Sequence, residues 1–356
     1  MKLALLLLAG LTAEAAEFAV ARPGYRYEFP RDDYSHPAFR TEWWYYTGNL
    51  RAPGGRRFGF ELTFFRQAVK AAPASGVWEP RDLYVAHLAL SDVGGRRFLH
   101  AERINRAGPC LAGTDAARRL VWNGNWQAGP DSLRAVAAQF QLDLKLDRRK
   151  PPAMHGEGGV YKKGAGDGVA SHYISYPRIR ATGWLELEGR RYGVEGLAWM
   201  DHEFFTCEME AGQVGWDWMM AHLNNGADLM LLRLRREDGR VDPHSGGSYI
   251  DPAGNVRRLR SGDFTMEPLD SWKSPSTNAS YPLRWRIRIP ALAIALVVST
   301  PLENQELVSA SGYTPTYWEG TVDCQGSLGS RPLGGEGYLE LTGYARRVRL
   351  AGEFPR

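Results

Sequence analysis

Trp43–Leu50 reads WWYYTGNL, and Trp216–Leu223 reads WDWMMAHL. Laid over each other, the two segments match Trp43 to Trp216 and Leu50 to Leu223. Each is followed by a Gly-containing turn and a hydrophobic strand that ends in Arg, FELTFFR in the first case and LMLLRLR in the second. Further on, SDVGGRRF (Ser91–Phe98) resembles IDPAGNVRRL (Ile250–Leu259), and GWLELEG (Gly183–Gly189) resembles GYLELTG (Gly337–Gly343). One such pair is within reach of chance, but three in the same order point to a tandem duplication. The chain then divides into two β-rich halves, each near the length of a small closed barrel with a ligand-sized interior. The expected boundaries are residues 17–206 and 207–356, after a leader over residues 1–16.

The strand signal is strong between these landmarks. Phe58–Arg66, Leu83–Asp92, Gln141–Asp147 and Leu283–Pro290 alternate apolar with polar residues or are rich in aromatics. Leu142, Leu144 and Leu146 alternate with Asp143, Lys145 and Asp147, which predicts a half-buried strand. Helical periodicity is scarce, with short helices expected only at Thr114–Leu120 and Ser132–Gln139. The fold class expected is therefore all-β: two tandem antiparallel barrels packed against each other.

Composition narrows the function. Hydrophobic residues make up 44% and charged residues 24%, so the chain is globular rather than disordered. A net charge of +4 comes as scattered Arg pairs beside glycine turns, not as the continuous basic stripe that a nucleic-acid backbone requires. The N-terminus, MKLALLLLAGLTAEAAEF, places Lys2 before an apolar run and small residues at Ala13 and Ala15. That is the layout of a secretory signal peptide, too short to span a bilayer and predicting a periplasmic or secreted protein with no stable membrane anchor after cleavage. The three cysteines, Cys110, Cys207 and Cys324, allow one disulfide in an oxidising compartment, and their spacing does not choose the pair.

Within this frame Ala198–Phe205, AWMDHEFF, sets three ionisable groups side by side in a hydrophobic strand. Strand geometry turns Trp199, Asp201 and Glu203 to one face and Met200, His202 and Phe204 to the other. Trp216 and Trp218 share one face of the next predicted strand. Three consecutive residues on a strand seldom converge on one ion, and no second His follows at helical spacing, so no metal site is expected.

The segments HPAFRTEWWYYTGNL, FGFELTFFR, ASHYISYPR, GLAWMDHEFF, GWDWMMAHL, DLMLLRLR, YWEG and GYLELTGY together resemble the AttH-like, carotenoid 1,2-hydratase-related lipocalin-like family, in the family's order from His36 to Tyr344. The resemblance implies two lipocalin-like barrels with a site for a hydrophobic ligand (an isoprenoid, a polyene or a lipid) within or between them. It also implies two roles. One is a hydro-lyase adding water to an alkene; the other is a non-catalytic carrier or accessory component working with an ABC transporter permease. Hydrolysis of an ester or glycan by Asp201 and Glu203 ranks last, since no Gly-x-Ser-x-Gly elbow occurs and nothing identifies a substrate cleft for the pair. Export and the strand LMLLRLR, which lacks the Tyr and the acid expected there, set the chain apart from the hydratase branch.

Alkene hydration needs a proton donor in an apolar pocket and aromatic faces to stabilise a cation. Asp201 is the expected donor and Glu203 its partner. Trp199, Trp216, Trp218, Trp44 and Tyr46 are the expected ligand walls. His202 and His36 are expected in a structural polar network, and no cofactor is implied. The competing reading makes Asp201, His202 and Glu203 a satisfied network at the junction of the halves, with the tryptophans as barrel core.

Overall fold

Alternating apolar and polar residues on long aromatic strands leave each strand one face for its own barrel and one for a neighbour. In the computed structural model, which describes residues 17–71, 76, 79–207, 209–309 and 315–348, this produces two curled, near-barrel antiparallel sheets. The expected signal peptide, residues 1–16, lies outside the described residues.

The first sheet has 13 strands. Its opening strand, Thr41–Arg51, pairs on one side with the second strand, Arg57–Ala68, and on the other with the closing strand, Arg190–Phe205. The closing strand also pairs with the penultimate strand, Ala170–Leu187. Two short strands, Ala153–Met154 and Val160–Lys162, add to the start of the penultimate strand. The second sheet has 10 strands and repeats this plan. Its opening strand, Gln213–Leu223, lies between a second strand, Asp228–Arg236, and a closing strand, Arg331–Leu341. The penultimate strand here is Tyr317–Leu328.

Two of the three sequence pairs occupy equivalent places. The matched Trp-rich segments are the opening strands, and SDVGGRRF and IDPAGNVRRL are the hairpins joining the third and fourth strands of each sheet. The third pair is not equivalent. GWLELEG ends the penultimate strand of the first sheet, whereas GYLELTG runs through the closing strand of the second. Amphipathic strands of similar composition look alike, and register is what separates them. By register, Tyr45 opposes Asp201 and Trp218 opposes Glu340, so Glu340 is the positional counterpart of Asp201.

The expected helices are absent among the described residues. Ser132–Val136 is a strand and Thr114–Leu120 is a hairpin turn with the strand ends that flank it, because β pairing overrides weak local propensity. Leu142, Leu144 and Leu146 are buried as their alternation predicts. The three cysteines are unpaired; Cys324 lies in the core of the second sheet, where burial pushes its thiol up to about 12.

Each sheet encloses its own apolar core. A third cluster, including Tyr45, Tyr173, Trp199, Trp218, Met220 and Tyr338, joins the outer faces of the two sheets. Polar bonds pin the same contact. Asn49 Nδ2 donates to Gly337 O at 3.0 Å, and Lys150 Nζ meets Asp228 Oδ2 at 2.8 Å. Gly59 lets the sheets close up: a Cβ there would sit 3.1 Å from Thr321 Cβ and 3.2 Å from the Tyr338 ring.

Candidate active site

Between the two outer faces lies a cavity of about 360 Å³, within the size range of small-molecule sites. The first sheet contributes Trp43, Tyr45, Glu61, Asp201 and Glu203; the second contributes Trp216, Trp218, Glu319 and Glu340. Apolar side chains, among them Phe65, Leu83, Val85, Ile104, Leu232 and Leu234, line the remainder. Ile104 is exposed, so the cavity reaches the surface there.

Asp201 reaches this wall because the closing strand alternates: Ala198 and Met200 enter the barrel core while Trp199 joins the intersheet cluster. Its carboxylate accepts hydrogen bonds from Tyr173 Oη at 2.6 Å, from Trp199 Nε1 at 2.5 Å and from Ser175 Oγ. Burial drives its pKa up, the three donors pull it back, and the result is a carboxyl pushed up to about 7. Behind it runs a chain that crosses between the halves. Ser175 Oγ lies 2.6 Å from His155 Nε2, and His155 Nδ1 lies 2.8 Å from Ser248 Oγ on the second sheet. Burial lowers the His155 pKa to about 3, which keeps the ring neutral. Since Ser175 donates to Asp201, the neutral ring donates from Nε2 and accepts from Ser248. Trp218 Nε1, also from the second sheet, donates to Tyr173 Oη at 3.0 Å.

Glu203 lines the same cavity with a different environment. Lys163 Nζ lies 2.7 Å away and Ser171 Oγ donates to the same oxygen. The two carboxylates therefore do not form a pair. Asp201 is held by neutral donors, and Glu203 is neutralised by an ammonium.

A second acidic group, not anticipated from the sequence, stands between Glu61 and Glu319 of opposite sheets. Thr63 Oγ1 donates to Glu61 Oε1 at 2.9 Å and Tyr317 Oη does so at 3.1 Å. Tyr45 Oη donates to Glu319. Burial, then the charge of Glu61, holds the Glu319 carboxyl well above the usual range; burial also raises Glu61. The polar residue at Glu61 among aromatics and the acid in YWEG were the available signals. Neither names its partner, because the two lie on strands of different sheets.

Trp216 and Trp218 line the cavity. Trp199 is buried beside it and acts through its indole N–H on Asp201. Trp44 and Tyr46, expected among the ligand walls, point the other way into the core of the first barrel, because they alternate with Trp43 and Tyr45. Trp44 Nε1 there donates to Asp33 O at 2.9 Å.

His202 also turns away from the cavity. Its Nε2 and His36 Nδ1 lie 2.9 and 2.7 Å from Glu42 Oε1, and Arg66 Nε donates to Glu42 Oε2 at 3.0 Å. Burial alone would raise the Glu42 pKa, but His36, His202 and Arg66 hold it well below the carboxylate range. Burial lowers the His36 pKa, and Glu42 with Asp32 more than offsets this. His36, Glu42 and His202 present ligand atoms within 4.8 Å of one another. The Arg66 guanidinium already occupies the other oxygen of that carboxylate, and its charge opposes a metal ion there.

The AttH-like family profile matches residues 20–344. The fold is similar to the crystal structure of an AttH-type protein of Nitrosomonas europaea, at 32% identity and a TM-score of 0.84, covering 92% of this chain and all of that one. It is also similar to kievitone hydratase of Nectria haematococca, at 14% identity and a TM-score of 0.70, covering 94% and 97% of the two chains. At that identity the likeness speaks for the fold alone. The dehydratase asqC of Emericella nidulans is 24% identical over 206 residues, which span 56% of this chain and 57% of that protein.

Proposed function

The chain belongs to the AttH-like family, and from that premise we propose that it binds a hydrophobic small molecule in the intersheet cavity and adds water to it or removes water from it. The observation that carries the reading is Asp201: a buried carboxyl at the cavity wall whose pKa is pushed up to about 7. Such a group gives and takes a proton at neutral pH with little free-energy cost in either direction. Trp216 and Trp218 line the same space, and their π systems would stabilise positive charge developing on a ligand carbon. The dehydratase asqC, a sequence relative over part of its length, supports water chemistry over hydrolysis. Export belongs to this proposal as well, on the leader-like composition of residues 1–16.

The test is Asp201→Asn. Exchange of oxygen between isotopically labelled water and an isoprenoid alcohol should fall on the order of 10²-fold or more, as expected on loss of a proton-transfer group. Binding of the alcohol, read by Trp fluorescence, should persist. Unchanged exchange would remove Asp201 from the chemistry. Binding with no exchange in the unsubstituted protein would favour the carrier reading and its ABC transporter partner.

A further inference from the structure

Glu61 and Glu319 come from different sheets, are both buried, and both line the cavity. The alternation that sets Gly59 against Thr321 turns Glu61 and Glu319 to the same side of their strands, and Tyr317, two residues before Glu319, donates to Glu61 at 3.1 Å. Two carboxylates facing each other in a poorly solvated space cannot both stay ionised, so one of them carries a proton. Glu61 Oε2 is buried and has no donor of its own, so it keeps accepting capacity toward Glu319 and the cavity. Tyr45 connects this group to the first one. It is the cross-strand neighbour of Asp201, and its hydroxyl donates to Glu319.

We propose that Glu61 and Glu319 share one proton and form a second proton-handling station in the cavity, which selects apolar ligands bearing a neutral oxygen, an alcohol or a ketone. The proposal rests on the water-chemistry reading above and deepens it. A pair with one proton both donates to a ligand oxygen and accepts from a hydroxyl, which neither a bare hydrocarbon nor a carboxylate exploits. A carboxylate ligand would also meet the pair's remaining negative charge in a poorly solvated space.

The step balances with Asp201. In hydration, protonated Asp201 gives its proton to one alkene carbon, using the π electrons to form the new C–H bond. The oxygen of water bonds to the other carbon and loses a proton to the free carboxylate oxygen of the Glu61–Glu319 pair. Asp201 ends ionised and the pair ends with two protons, one of which returns to Asp201 through solvent. Dehydration is the reverse: the doubly protonated pair protonates the departing hydroxyl, and Asp201 removes the neighbouring C–H proton.

Two measurements on the full chain test this. Infrared spectra of the ligand-free protein at neutral pH should contain a protonated-carboxyl band that survives Asp201→Asn and is lost in Glu319→Gln. The groups facing the pair in this titration are Tyr45, Tyr317, His87, Tyr338 and Glu340. A spectrum unchanged by Glu319→Gln and by Glu61→Gln overturns the shared proton. Trp fluorescence titrations should then rank farnesol above farnesene and above farnesoic acid by about tenfold each, the worth of one well-made hydrogen bond. The double variant Glu61→Met/Glu319→Met, which removes both the donor and the acceptor, should lose that ranking. Equal binding of the alcohol and the hydrocarbon to the unsubstituted protein overturns this proposal alone. No binding of any of the three overturns the cavity reading and this proposal with it.

Discussion

Asp201 sits between two opposing effects, of which burial is the larger. Burial disfavours its charged form, while Tyr173, Ser175 and Trp199 donate to the charged form and favour it. The residual shift is upward and ties the residue to stability. A carboxyl with a pKa of 3.8 when exposed and about 7 when folded binds more protons in the native state between those values. Stability from this residue is therefore greatest at low pH and declines as pH rises from 3.8 to about 7, by about 4 kcal/mol as an order of magnitude. Asp201→Asn should flatten the stability–pH curve by about one proton's slope in that window, measured by chemical denaturation at a series of pH values. An unchanged slope would show that Asp201 is not protonated in the native state. Glu203 gives the contrast two residues away: the same side-chain chemistry on the same strand face meets the Lys163 ammonium beside the hydroxyl of Ser171. Their alternation is legible in the sequence. The difference between them is not, since Tyr173, Ser175 and Lys163 lie on other elements.

At the scale of the element, the strands carry more information than their own periodicity reveals. Opening and closing strands are buried on both faces, so Trp43 and Tyr45 serve the cavity while Trp44 and Tyr46 serve the barrel. A run of four aromatics shows that both faces are covered and leaves open which face meets which neighbour. The same ambiguity accounts for the mismatched GWLELEG and GYLELTG, whose places differ by one strand. Gly59, on the second strand, is a point of close approach between the sheets, facing Thr321 and Tyr338. Gly59→Val should overpack this contact and destabilise the protein by about 1–3 kcal/mol, read as a lowered denaturation midpoint. A midpoint equal to the unsubstituted protein's would mean that the sheets can part at little cost.

For the whole molecule, the decisive feature is that two sheets of similar plan pack through their outer faces and enclose the cavity between them. Lys150 helps to hold that packing. Its ammonium is buried, meets Asp228 at 2.8 Å and donates to Gly226 O at 2.8 Å and Asp251 O at 2.6 Å. Lys150→Ala would strand the carbonyls of Gly226 and Asp251 and leave Asp228 to Arg178 and His222, and should cost about 2 kcal/mol, measured by denaturation, with weaker probe binding because the cavity walls belong to different halves. Loss of stability with full probe binding would show that the cavity does not depend on this contact. The sequence by itself determined the strand-rich class, the matched opening strands and the face of Asp201, because these follow from periodicity along one strand and similarity between two segments. Only the tertiary structure decided that the cavity lies between the barrels, that Asp201 and Glu203 take different partners, and that Glu61 meets Glu319. Those outcomes depend on register and on which outer faces pack together, and each brings together side chains that no spacing along the chain relates.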